Sequence, residues 1–198
     1  MKFAISGSQC TGKSTLLYNL QNDTKYSKYI FTGGITRKLQ KNGEYINEDG
    51  NDNTQLRIMA KHIETAASNK DKILDRCALD GYVYTLYLYK QGKVTLNTLQ
   101  IAESVFTNLH YDILFYIAPE FQMVDDGTRS IDVKWQKDIA DLFEEVFTSF
   151  NISPIRLHGT VKERIEQFND AVDKFIKWTE ENKTPTTVTY NLKEGTNE

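Results

Sequence analysis

Near its start the chain carries Gly7-Ser8-Gln9-Cys10-Thr11-Gly12-Lys13-Ser14-Thr15, two glycines enclosing four residues and closed by a lysine and hydroxyls. Glycines so placed let the backbone curl around an anion with consecutive N–H groups pointing inward, and a helix starting there adds its partial positive charge. Every residue from Gly7 to Ser14 is therefore a candidate contact for the phosphates of ATP. Lys13 is expected to reach the β- and γ-phosphates, Ser14 to ligate Mg²⁺, and Thr15 to lie near the α-phosphate.

A phosphate loop by itself serves switches, motors and kinases alike, so the other polar strings must decide. In Ile73-Leu74-Asp75-Arg76 a carboxylate ends an apolar run, at the sheet edge where open parallel sheets bind ligands. Asp75 is a candidate to help hold Mg²⁺ and to accept or orient the proton of an attacking hydroxyl, with Arg76 neutralising phosphate charge. In Asp125-Asp126-Gly127-Thr128-Arg129-Ser130, Arg129 is the candidate to stabilise the transferring phosphoryl group, a role worth up to about 10³–10⁵ in rate. The competing reading of that segment is a helix cap at Ser130 or Asp132. Guanine-specific switches use Asn-Lys-x-Asp, whereas the nearest string here, Asn69-Lys70-Asp71-Lys72, ends in lysine. A motor ATPase needs more chain for its assembly domain.

Those residues need elements to hold them. Lys2 to Ser6 reads as a short buried strand entering the loop, and Leu16, Leu17 and Leu20 mark a helix from Lys13 to about Gln21. Further strands are expected at Tyr29–Thr32, Ile73–Leu74, Ile113–Ile117 and Ile155–Leu157. Helical periodicity marks Ile35–Leu39, Thr54–Ser68, Tyr82–Tyr89, Leu96–Leu109, the stripe from Trp135 to Phe150, and Val161 to Ile176. Strands alternating with helices predict an α/β fold of three layers, a five-stranded parallel sheet flanked by helices. One domain is expected over 1–178, with a lid at about 119–134 and a polar tail from 179 to 198.

The composition is that of a globular chain: 198 residues, 39% hydrophobic, 26% charged, net charge −3. That charge argues against a protein whose main task is to coat nucleic acid, since such binding neutralises phosphates with Lys and Arg. No stretch approaches the roughly 20 apolar residues of a membrane helix. Cys10 and Cys77 each sit inside a phosphate-handling string, so a disulfide is a poor reading and a reducing, cytoplasmic compartment fits. A small-molecule nucleotide is the expected partner, and a homodimer stays open.

The phosphate loop with Thr15, Leu-Asp-Arg, Asp-Asp-Gly-Thr-Arg-Ser and Leu157-His158-Gly159-Thr160-Val161-Lys162-Glu163-Arg164 come in an order that resembles nucleotide-kinase-like P-loop proteins. The chain is similar to the branch with nicotinamide riboside kinase domains and small viral deoxynucleotide kinases, over Met1 to about Ile176. The resemblance implies that Gly159, Thr160 and Val161 pack against adenine and that the residues after the second strand meet the phosphoryl acceptor. Phe31-Thr32-Gly33-Gly34 followed by Arg37 is similar to thymidylate kinases, in which an arginine here clamps the acceptor's phosphate; their Arg-Glu-Pro string is missing. Gln55 falls where related deoxynucleoside kinases read a base edge with an amide, which donates and accepts at once. Asp80, Tyr82 and Tyr84 are candidates to finish the pocket, although a tyrosine stripe is more often core. The expected reaction is ATP-dependent phosphorylation of a deoxynucleoside monophosphate, a pyrimidine one. The alternatives are a nucleoside such as nicotinamide riboside, a modified pyrimidine in DNA, and a non-catalytic nucleotide-binding module.

Overall fold

The computed structural model describes residues 1–120 and 132–182. Arg129, most of the expected lid and the strand-like patch at 187–192 lie outside the described residues.

The chain alternates as foreseen: β1 (Lys2–Ser6), α1 (Lys13–Gln21), β2 (Ile30–Thr32), α2 (Ile35–Lys41), α3 (Asp52–Ala67), β3 (Lys72–Asp75), α4 (Ala78–Lys90), α5 (Leu96–Asn108), β4 (Ile113–Tyr116), α6 (Val133–Ser149), β5 (Ile155–Arg156) and α7 (Val161–Glu181). The strands form one sheet in the order β2-β3-β1-β4-β5, and every neighbouring pair runs parallel. Ile5 stands opposite Asp75 and Ser6 opposite Tyr116, so the carboxyl ends of the three central strands lie side by side. In open parallel sheets that edge is where ligands bind.

β1 is buried on both faces because its central side chains, Phe3, Ala4 and Ile5, enter cores on either side of the sheet. Phe3 and Ile5 pack with Leu16 and Leu20 of α1 and Phe168 and Val172 of α7. Ala4 points the other way, into a cluster with Leu74, Val83 of α4, Ala102 of α5 and Phe143 of α6. Alternate residues thus feed two cores, one on each side of the sheet, and the three layers follow.

A third and smaller cluster joins Leu39 of α2, Ile58 of α3 and Ile46 from the segment between them, with Ile35 packed against it. Among the described residues, this cluster packs α2 against α3. The tyrosine stripe divides: Tyr82 is core, stacked on Phe106 at 5.3 Å between centroids, while Tyr84 turns towards the carboxyl edge. α7 runs on to Glu181, past the expected boundary at 178, and Asn182 caps it by donating its backbone N–H to the Trp178 carbonyl. Asp132 starts α6 by accepting from the N–H groups of Lys134 and Trp135 (2.8 and 3.1 Å).

Candidate active site

The phosphate loop leaves β1 through Gly7, whose φ of 144° and close approach to the Ile117 carbonyl leave no room for a Cβ. Gly12 closes the loop at φ 88°, and a Cβ there would stand 2.9 Å from Arg164 Nη1. The guanidinium of Arg164, 2% exposed, donates to the Thr11 carbonyl (2.6 Å) and meets Glu120 Oε2 at 3.2 Å. Gln136 of α6 donates to the Gln9 carbonyl (2.7 Å). The loop is therefore fastened from outside by α6 and α7. Neither tie has a local sequence signature, and both residues escaped the sequence reading as contacts of the loop.

Inside the loop Lys13 is buried and donates to the Ser8 carbonyl oxygen and to Thr11 Oγ1 (3.0 Å). Ser8 Oγ and Gln9 Nε2 are buried without a partner among the described residues. Buried polar groups are rarely left so, and phosphate oxygens drawn to this helix N-terminus would supply the acceptors.

From β3, Asp75 Oδ2 accepts from Ser14 Oγ at 2.9 Å. This pairs two hard oxygen donors next to the loop, the kind of set that suits Mg²⁺, which takes one or two carboxylates and leaves the rest of its shell to water and phosphates. No cluster of three His, Cys, Asp or Glu stands among the described residues, in keeping with such a sparse protein contribution. The residues present thus fit the ion.

Arg76 follows at φ 79°, a left-handed conformation that costs a side-chain-bearing residue roughly 1–3 kcal/mol. Its N–H donates to the Ile5 carbonyl (3.0 Å), and its guanidinium lies over the Tyr84 ring, 4.8 Å from the centroid. Tyr84 in turn donates to Gln9 Oε1 (3.2 Å). Burial, above all, raises the Tyr84 phenol, with Arg76 pulling the other way.

Asp80 lines the acceptor cavity, as expected of it, and also ties down the phosphate loop. It is 1% exposed, and its carboxylate accepts from Ser6 Oγ (2.7 Å), Cys77 N (2.9 Å) and Gly7 N (3.3 Å). It pins the start of the loop to the cap of α4, and burial raises its carboxyl. Cys77 beside it and Cys10 in the loop are both free thiols.

A cavity opens between the loop, α2, α3 and α4. Lys13, Arg37, Gln55, Asp75, Arg76 and Tyr84 all line it, so the residues expected to meet the acceptor converge on one space. Gln55 is 2% exposed, and its Oε1 lies 3.0 Å from the Thr85 hydroxyl. Sequence reasoning missed His62, which lines the same wall. Its imidazole is pushed down to about 4, by burial first and then by the Arg76 charge, so near neutral pH it is an uncharged donor and acceptor. A histidine on a helix gives no signal by spacing; only the fold brings it to Arg76.

The loop of Gly159, Thr160 and Val161 begins α7. The Thr160 hydroxyl and Glu163 carboxylate cap each other's backbone N–H, and Gly159 N donates to Glu120 Oε2 (2.8 Å). Glu120 also contacts Arg164, which ties this segment to the phosphate loop.

Residues 2–164 match the family model described as AAA domain. No curated protein matches the sequence. Among solved structures, NadR in complex with NR superposes with a TM-score of 0.68 at 16% identity, over 88% of this chain and 51% of that one; the chain spans about half of NadR. Deoxyadenosine kinase from M. mycoides, solved with dCMP and a flexible dCDP, gives 0.62 at 17% identity over 88% and 99%. Thymidylate kinase from Candida albicans gives 0.64 at 18% identity over 87% and 91%. At such identities the shared property is the fold, the three-layer P-loop arrangement with its five-stranded parallel sheet.

Proposed function

The chain belongs to the AAA domain family of P-loop proteins, and from that premise we propose that it is an ATP-dependent kinase of a deoxynucleoside monophosphate, a pyrimidine one. The observation that carries this reading is the cavity in which Arg37 and Arg76 stand with Asp75 beside the phosphate loop. Two guanidiniums around one acceptor site favour a substrate that already carries phosphate, because each can grip it through paired N–H groups. Kinase folds among the solved neighbours support phosphoryl transfer over a mechanical ATPase.

In this reading the loop amides and Lys13 hold the ATP phosphates, and Arg76, braced on Tyr84, faces the incoming acceptor. Asp75 orients the acceptor oxygen. Mg²⁺, when held by Ser14 and Asp75, supplies charge neutralisation on the transferring phosphates. Arg129 keeps its proposed role on the transferring group. An ADP-release assay over dTMP, dUMP and dCMP tests the substrate class, and silence from all three overturns it.

One observation favours a second reading. With Asp80 committed to the loop, Asp75 is the carboxylate of this cavity that remains for proton transfer, which suits an uncharged hydroxyl such as that of a nucleoside or of a modified pyrimidine in DNA. Asp75→Asn and Arg37→Ala separate the two. A monophosphate acceptor predicts that Arg37→Ala raises KM by tenfold or more, as loss of a charge-assisted contact of about 1.5–3 kcal/mol requires. A nucleoside acceptor predicts little effect there and abolished turnover in Asp75→Asn.

A further inference from the structure

α2 is the wall between two cavities. Thr36, Arg37 and Gln40 face the acceptor cavity, whereas Lys38, Leu39 and Asn42 face a second one, and Ile35 touches both. At about 100° per residue these sets fall on opposite sides of the helix. The volumes are unequal: about 70 Å³ on the acceptor side and about 500 Å³ on the other. Small-molecule sites measure roughly 300–1,000 Å³, so retreat of α2 towards the larger space would widen the acceptor side for a nucleotide. The thin cluster of Leu39, Ile46 and Ile58 opposes that shift with little packed area.

The larger cavity has the chemistry of a ligand site. Its base is apolar, from Phe31, Leu39 and Leu74, and its rim carries Thr32, Thr65 and Asn42 with Lys38 and Lys61. Lys61 is paired with Glu64 at 2.8 Å. The side-chain ammonium of Lys38 has no hydrogen bond or ion pair among the described residues, and Arg76 lines the cavity beside Asp75. Glu64 and Asp75 also line the cavity, so its three cations, Lys38, Lys61 and Arg76, exceed its two carboxylates by one, and this excess beside an apolar base suits an anion with a flat body. Inorganic phosphate offers the anion alone, and a nucleotide offers both.

We propose that the cavity behind α2 is a second ligand site, for a small phosphorylated molecule of nucleotide size, and that its occupancy holds α2 forward and opposes acceptor binding. The binding half stands independently of the acceptor assignment; the coupling half rests on it. Because the two cavities share Ile35, His62, Asp75 and Arg76, an occupant of one draws on the wall of the other. Linkage then makes the antagonism reciprocal: acceptor weakens the second ligand by the same factor.

The test is calorimetric titration of the full chain, in Mg²⁺ and a non-hydrolysable ATP analogue, with inorganic phosphate and with dTMP as probes. Lys38→Glu should weaken at least one probe by about tenfold or more, the loss of a charge-assisted contact, while Arg37→Ala leaves that binding intact. Absence of any Lys38-dependent binding overturns the site, and equal sensitivity to Arg37→Ala assigns the event to the acceptor cavity and overturns it as well. For the coupling, Thr65→Trp fills the second cavity and should raise the acceptor KM with kcat unchanged; an unchanged KM overturns it. If that variant does not fold, inhibition of the wild-type kinase by inorganic phosphate decides, since coupling requires the inhibition to be relieved by Lys38→Glu. Should no acceptor be phosphorylated at all, the functional reading falls, and the titration with phosphate still tests the site.

Discussion

His62 shows how a single side chain takes its meaning from its surroundings. It is 3% exposed, and burial with the Arg76 charge brings it from 6.5 to about 4. The folded imidazole thus resists a proton that the unfolded one accepts, so stability is full above about pH 6.5 and is lost as pH falls towards 4. Two and a half pKa units correspond to about 3 kcal/mol at most. His62→Gln should flatten this part of the stability profile relative to wild type, as read by urea midpoints between pH 7 and 4.5. Parallel profiles in the two proteins would contradict the buried neutral state. Among candidates read from sequence, Tyr82 and Tyr84 parted company because two residues on a helix turn by about 200°; one ring met Phe106 and the other Arg76.

For the elements, the informative contact is α7 on the phosphate loop. Arg164 joins the first turn of α7 to the Thr11 carbonyl and to Glu120. Its replacement by methionine keeps the apolar stem and leaves the carbonyl without that donor, which costs about 1–3 kcal/mol for a buried group. ATP affinity in Arg164→Met should fall by about tenfold or more, with the helix content of the folded protein unchanged by circular dichroism. An affinity equal to wild type would mean that the loop keeps its shape without α7. The cap of α6 was readable beforehand as one of the alternatives for its segment, Ser130 or Asp132, because a polar side chain there precedes an apolar stripe; the cap at Thr160, read only as a contact of adenine, came from the structure. α2 offered less, since a seven-residue helix gives periodicity little length over which to declare a face.

Across the whole molecule, the loop couples nucleotide binding to global stability, because a ligand that binds only the folded state stabilises by mass action. At 100 times its dissociation constant Mg²⁺–ATP should add about 2.7 kcal/mol, or roughly 5–10 °C in Tm for a chain of this length. Gly12→Ala should abolish the shift, since a Cβ at φ 88° also meets Arg164. A wild-type Tm indifferent to ATP would remove the basis for any kinase reading. Among the described residues no helix is long and apolar enough to cross a membrane.

The sequence alone determined the order of strands and helices, the phosphate loop, and the residues on the carboxyl edge, because each depends on spacing along the chain. Buried runs and helical stripes report which face an element must hide, and the glycine loop reports its own shape. What lies across that face is decided only when distant segments meet. Tertiary structure set Asp80 to pinning the loop, brought His62 and Tyr84 to Arg76, gave Arg164 and Gln136 their hold on the loop, and made α2 a partition between a narrow space and a wide one. Those assignments arise from contacts between different elements, about which the periodicity within any one element carries no information.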